Sequence, residues 1–259
     1  MEIIDTHCHL DVAAFNPDRK AVLERARSGG VAGIVVPGIE ARGWDELSAV
    51  CATGPDLFPA FGLHPVFTAT HSDADLPLLE ARLAAQRPVA VGEIGLDFYI
   101  KGADRARQQL LFEAQLVMAR DAGLPVILHV RKAHDQVLAT LKRIRVPGGT
   151  AHAFNGSLQQ ARHYIELGFK LGFGGMLTYE RSVKLRGLAQ ALPAEAIVLE
   201  TDAPDMVVAQ HRGERNSPEY LPDCLLALAK VRDEPLATVA ARTTANAREV
   251  FGITCGSSM

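Results

Sequence analysis

The sequence predicts an α/β fold, a single (β/α)8 or TIM barrel over residues 1–259, on three observations. Eight short apolar runs alternate with stretches of helical period from one end of the chain to the other. The length of 259 residues matches the roughly 250 that such a barrel uses. The turn after the first run, THCHLD, lacks the glycines that a doubly wound, dinucleotide-binding sheet carries at that point.

The runs fall at Ile3–Asp5, Gly33–Pro37, Pro59–Leu63, Val89–Gly92, Val126–His129, Gly149–His152, Phe169–Gly172 and Ile197–Glu200. They are continuously apolar because strands of a parallel barrel are covered on both faces. Between them, DRKAVLERARSGG, LPLLEARLAAQR and ADRARQQLLFEAQLVMARDAG read as amphipathic helices. Glycines at Gly29–Gly30, Gly123 and Gly168 stand where helices must stop before the next strand. Residues 218–259 read as helical and as closing the barrel. No low-complexity linker or break in composition divides the chain.

Composition excludes several classes. With 48% hydrophobic and 22% charged residues, the chain is neither disordered nor collagen-like, and it can bury a core without staples. The net charge of -3 argues against a broad basic surface for duplex nucleic acid, which needs clustered Lys and Arg. Cys8, Cys51, Cys224 and Cys255 form no C-x-x-C pair and read as reduced thiols. The start MEIIDTHCHL has no basic, apolar leader, and no apolar run approaches the ~18 residues that span a bilayer. The expectation is a cytoplasmic protein with no membrane contact and no evident protein partner.

Barrel enzymes build their chemistry at the C-terminal ends of the strands. Here those ends carry His7 and His9 (first), His64 (third), Glu93 (fourth), His129 (fifth), His152 (sixth) and Asp202 (eighth). In an extended segment, His7 and His9 share one face about 6–7 Å apart and can chelate one cation. The same alternation turns Cys8 toward the helices. Asp5 is expected to orient an imidazole N–H. Glu93 interrupts an apolar strand, where a carboxylate is costly unless paired or coordinated. Each residue also has a plain reading: a buried salt bridge for Glu93, satisfied core histidines for His129 and His152, a helix cap for Asp202. Their gathering at one rim is what the plain readings leave unexplained.

Six ligands exceed the three of an ordinary catalytic zinc site. They fit two metal ions, His7, His9 and Asp202 on one, His129 and His152 on the other, with Glu93 between them. Such a pair activates a water and clamps an in-line displacement. Asp202 is the candidate general base. Two divalent ions, two carboxylates and one hydroxide leave about one net positive charge, which suits a phosphate ester. Arg131, beside Lys132, is then a phosphate clamp or a solvated loop residue, and His64 a phosphate contact or leaving-group acid. Zinc, magnesium and manganese all suit this donor set.

The segments IIDTHCHLD, GLHP, VGEIGLDFY, ILHVRKAHDQVLATL, AHAFNGS, LETDAP and GERNSPEYLP resemble, in order, the motifs of the TatD-family metal-dependent hydrolases. The resemblance runs to about residue 250. It implies a barrel of the amidohydrolase-like superfamily with one to three divalent ions, and deoxyribonuclease activity, often 3′→5′ exonuclease. It carries the ligand positions onto His7, His9, Glu93, His129, His152 and Asp202, and site roles onto His64 and Arg131. The chain departs from the family at Ala153 and Asn155, where HCFTGS is frequent, and at RNSPEY in place of RNEP. These departures bear on substrate preference, not on the metal ligands.

The leading expectation is therefore a dinuclear phosphoesterase acting on DNA ends or small phosphate esters. An amidohydrolase or lactonase is the alternative, although many of those bridge their metals with a modified lysine where this strand has Glu93. A non-catalytic scaffold is the third reading. Phe67, Phe98, Tyr99 and Phe154 are candidates to stack bases at the rim, with ordinary packing the favoured explanation.

Overall fold

The computed structural model describes residues 1–253. Cys255 and the last part of the segment read as helical, 254–259, lie outside the described residues. The eight apolar runs form strands β1 (Ile3–Asp5), β2 (Val31–Pro37), β3 (Leu57–Phe61), β4 (Ala90–Asp97), β5 (Val126–Arg131), β6 (Gly149–Ala151), β7 (Phe169–Phe173) and β8 (Ile197–Leu199). They lie side by side in chain order, every neighbouring pair parallel. Each strand is followed by a helix: α1 (Arg19–Ser28), α2 (Trp44–Cys51), α3 (Asp75–Gln86), α4 (Arg105–Ala122), α5 (His134–Arg143), α6 (Leu158–Glu166), α7 (Val183–Ala191) and α8 (Leu221–Arg232). A further helix, α9 (Leu236–Phe251), follows α8. The chain is a (β/α)8 barrel.

Local signals explain the helix ends. Asp104 accepts the Arg107 N–H at the start of α4, at 2.9 Å, and Ser157 and Gln160 make a reciprocal capping box on α6. Gly123 ends α4 at φ 66°, a left-handed conformation that costs glycine little.

Two layers of core follow from strand alternation. Ile34 and Val36 of β2 join the large cluster packed against the helices. Val35 between them joins Ala60, Ala90 and Ile127 in a separate cluster with Phe251 and Ile253. Ile4 and Val198 meet Ala247 in the same way. The end of α9 therefore fills one mouth of the barrel. Removing Phe251 to alanine would cost about 3–5 kcal/mol. With that mouth plugged, the ends of the strands at the other mouth are left to line a cavity.

The seam between β1 and β8 is closed just past both strands. The Thr6 N–H donates to the Leu199 carbonyl (3.0 Å), the Asp202 N–H to the His7 carbonyl (2.8 Å) and the His9 N–H to the Ala203 carbonyl (2.8 Å). Cys8 faces Ala203 in a parallel bridge and is fully buried among the apolar side chains outside the barrel. His7 and His9 thus follow β1 in an extended segment.

Strand β4 differs from its expected extent, continuing five residues past Gly92 to Asp97. Glu93 is therefore in mid-strand and not at its end. The physical reason is a break in register between Val91 and Ile94. There the Glu93 N–H turns to the Gly38 carbonyl of the neighbouring segment, at 2.9 Å. Gly62 permits this approach, since a Cβ on it would lie 2.6 Å from the Gly92 carbonyl carbon.

Candidate metal centre

The open mouth of the barrel holds a cavity of about 850 Å³, lined among others by His9, His64, Glu93, His129, Arg131, His152 and Asp202. His7 is buried directly beneath, against Glu93. A second hollow of about 790 Å³ lies around the filled mouth, near Arg87, Lys170 and Phe251. Of its two cations, Lys170 is held by Glu249 at 2.9 Å, and none of the His/Cys/Asp/Glu groups suited to a cation lies there among the described residues.

Glu93, with no solvent exposure, is the hub. Its two oxygens divide the histidines between them. Oε2 faces Nε2 of His7 at 3.1 Å and Nε2 of His9 at 3.4 Å. Oε1 faces Nε2 of His152 at 2.8 Å, Nδ1 of His129 at 3.0 Å and Nε2 of His64 at 3.1 Å. Asp202 Oδ1 completes the first set, 3.5 Å from His7 Nε2 and 3.8 Å from His9 Nε2. Ring nitrogens also face one another, His7 and His9 at 3.3 Å, His129 and His152 at 3.3 Å. Lone pairs gathered this tightly repel unless protons or cations lie between them. The donor set thus fits divalent ions, and three groups have ligand atoms within 4.8 Å of one another: His7–Glu93–His152, His7–His9–Asp202 and His64–Glu93–His129.

Neighbouring hydrogen bonds settle which nitrogen three of the rings offer. His9 gives Nδ1–H to the Pro37 carbonyl at 3.2 Å, leaving Nε2 for the cluster. His129 gives Nε2–H to Asp97 Oδ2 at 3.1 Å, leaving Nδ1. His64 is different. Its Nδ1 accepts the Val66 N–H at 3.1 Å, so the neutral ring carries its proton on Nε2, which points at Glu93. That tautomer makes His64 a donor and sets it apart from the ligand-like histidines.

Burial and charge set the protonation tendencies without any ion. Burial, with His152 nearby, holds His7 well below the usual histidine range, and burial lowers His64 to about 4. For His9 and His152 burial again opposes the charged ring. Hydrogen bonds and charge from Glu93 outweigh it, raising them to about 9 and about 10. Burial opposes ionisation of Glu93 too, yet the surrounding imidazoles hold it well below the usual carboxylate range. Burial raises Asp202.

Asp5 does not orient an imidazole as expected. Its oxygens accept the backbone N–H of His7 (3.2 Å) and of Thr201 (3.0 Å) and the Thr201 hydroxyl (2.6 Å), tying the two sides of the seam together. Arg131 lines the cavity, its guanidinium 3.8 Å from the Tyr99 ring centroid. Phe154 is buried core, Phe98 is covered by Arg105 and packs on the core, and Phe67 lines the cavity edge beside His64.

Two acids escaped the sequence reading. Asp97 lies four residues along β4 from Glu93, an even spacing that puts both on one side; the pattern E-x-G-x-D was the available signal. Glu200 is buried, accepts the Ala153 N–H at 2.5 Å next to His152, and burial raises it to about 8. Nothing in LETDAP distinguishes it from a strand-end acid facing solvent.

A barrel with this rim defines a metal-dependent hydrolase. The chain belongs to the TatD family, whose model, TatD related DNase, matches residues 4–252. It is 41% identical to YjjV of Escherichia coli strain K12, an uncharacterized metal-dependent hydrolase, over 96% of this chain and 98% of that one. It is 33% identical to the 3′-5′ ssDNA/RNA exonuclease TatD of Klebsiella pneumoniae strain 342, over 97% and 98% of the two chains. The crystal structure of the Escherichia coli YjjV protein superimposes with a TM-score of 0.94 over 97% of this chain and 98% of that chain, at 40% identity.

Proposed function

We propose that this hydrolase cleaves phosphodiesters at DNA ends, with 3′→5′ exonuclease character, using two divalent ions. The observation that carries the reading is the division of Glu93's oxygens between two histidine sets. A carboxylate presenting one oxygen to each set suits a bridge between neighbouring cations. His7, His9 and Asp202 would hold one ion and His129 and His152 the other. His64, with its proton on Nε2, is left out of the ligands. The exonuclease named in Klebsiella pneumoniae supports the substrate class.

Bound ions would supply a water of lowered pKa and positive charge facing the phosphate. The side chains do the rest. Asp202, whose side chain reaches the cavity beside His7 and His9, takes the proton of the attacking water. His64 Nε2–H donates to a phosphate oxygen or to the departing 3′ oxygen. Arg131, steadied on Tyr99, clamps a non-bridging oxygen. Zinc, magnesium and manganese remain the candidates. Manganese and magnesium are favoured by phosphate chemistry, zinc by the imidazoles. A cytoplasmic location belongs to the same proposal and is supported by the free thiols of Cys8, Cys51 and Cys224. No helix among the described residues is long and apolar enough to cross a membrane.

The test is an oligonucleotide labelled at its 5′ end, incubated with enzyme loaded in turn with each metal. Progressive shortening from the 3′ end, lost on chelation and in Glu93→Gln, is expected. Cleavage that survives both treatments, or turnover of cyclic amides and lactones with none of phosphodiesters, would overturn the reading.

A further inference from the structure

The cavity wall beyond the centre carries two cations that the proposed chemistry does not use. Arg181 and Lys184, in and just before the first turn of α7, line the same cavity as His152 and Asp202. Both are exposed, and neither is in an ion pair with a carboxylate among the described residues. Most arginines elsewhere on the surface are so paired, as Arg27 is with Asp56 and Arg143 with Glu113.

Lys184 is not a loose surface lysine. Its ammonium donates to the Asn155 carbonyl at 3.0 Å. Asn155 is itself fixed: its amide donates to the Ala153 carbonyl at 3.1 Å, and its Oδ1 lies 3.3 Å from His134 Nε2. Ala153, at φ 44°, is held by Glu200 through its N–H. The loop that follows β6 thus presents His152 to the centre and, three residues later, seats Lys184. Three residues of chain span at most about 11 Å, so one strand of substrate can reach both His152 and Lys184. Ala153 and Asn155 are the positions at which this loop departs from the family pattern.

We infer that Arg181 and Lys184 form a second anion site on the cavity wall, which takes the phosphate next along the strand from the one being cleaved. The inference rests on the phosphodiesterase reading and narrows it: the substrate carries at least one phosphate beyond the scissile one. Two cations without carboxylate partners attract that phosphate without a basic surface elsewhere. Arg131 of β5 and these two residues, which follow β7, flank His152, which follows β6, so cations stand on both sides of that histidine along the rim.

The experiment compares a thymidine dinucleotide, whose one phosphate is scissile, with the same dinucleotide bearing a 5′-phosphate, on metal-loaded enzyme. KM is expected to be about tenfold lower for the phosphorylated substrate with kcat little changed. In Arg181→Gln/Lys184→Gln that preference should fall to about one, and Lys184→Arg should keep it. The salt dependence of kcat/KM on the phosphorylated substrate should weaken with each cation removed. Both positions are exposed, and metal content of each variant checks that the centre is intact. Wild-type enzyme that cleaves both substrates without preference, or a double variant that keeps the preference, would overturn the second site alone. Failure of wild type to cleave either substrate would instead overturn the phosphodiesterase reading beneath it.

Discussion

Nε2 of His129 lies 3.1 Å from Oδ2 of Asp97, and Asp97 in turn accepts the Tyr99 N–H through Oδ1 at 2.8 Å. This hydrogen bond decides which nitrogen of His129 faces Glu93, and it raises the basicity of that nitrogen. Asp97→Asn keeps the shape and removes the charge. Metal affinity should fall about 10–100-fold, read by competition with a coloured chelator. Wild-type affinity in the variant would reduce Asp97 to a packing role.

Metal loading should be visible as stability. An ion present at about 100 times its Kd contributes ~2.7 kcal/mol. For a domain near this size, ~1 kcal/mol moves Tm by about 2–4 °C. Chelator-stripped protein should therefore melt several degrees higher on adding manganese or zinc, measured calorimetrically. Glu93→Ala should show no such rise, having lost the carboxylate shared by both histidine sets.

Outside the centre, His134 gives a pH dependence of known sign. Burial, with the charge of Lys184, lowers its pKa in the fold, while the Asn155 hydrogen bond works the other way. The unfolded chain then binds a proton below the ordinary histidine value of ~6.5 while the fold resists. Its presence therefore costs stability as pH falls through that value toward the folded pKa, and costs nothing above it. Urea midpoints from pH 7.5 to 5 should drop less steeply in His134→Gln than in wild type. Parallel slopes would contradict this.

The thiols should be inert in the native state. Cys8 and Cys224 are fully buried and pushed well above the ordinary thiol range by burial, and burial takes Cys51 to about 12. Iodoacetamide at pH 8 should leave all three unmodified in peptide mass maps until urea is added. Labelling of Cys8 without urea would mean that the seam opens.

The barrel was legible because each strand announces itself as a short run covered on both faces, and its end as the first polar residue. Reading the metal-binding residue types in and just after those ends finds His7, His9, His64, His129, His152 and Asp202 without any coordinates. It places Glu93 at a strand end because a glycine closes the apolar run just before it. Only the register break beside Gly62 shows that β4 continues to Asp97. Asp5 differs for a related reason: proximity in sequence suggests an imidazole partner, whereas its actual partner, Thr201, is nearly two hundred residues away along the chain, across the seam. Tautomers were out of reach altogether. That His64 is a donor depends on one backbone N–H, from Val66, which no spacing rule encodes.

The bonds from the Asp202 N–H to His7 and from the His9 N–H to Ala203 have a consequence for the order of events during synthesis. A chain emerging from the ribosome has displayed every histidine of the centre once residue 152 is out. It cannot bring Asp202 to His7, or shut the seam, until some fifty residues more have followed. The centre is therefore assembled late in synthesis: a chain that stops short of Asp202 carries the histidines without the acid that faces His7 and His9.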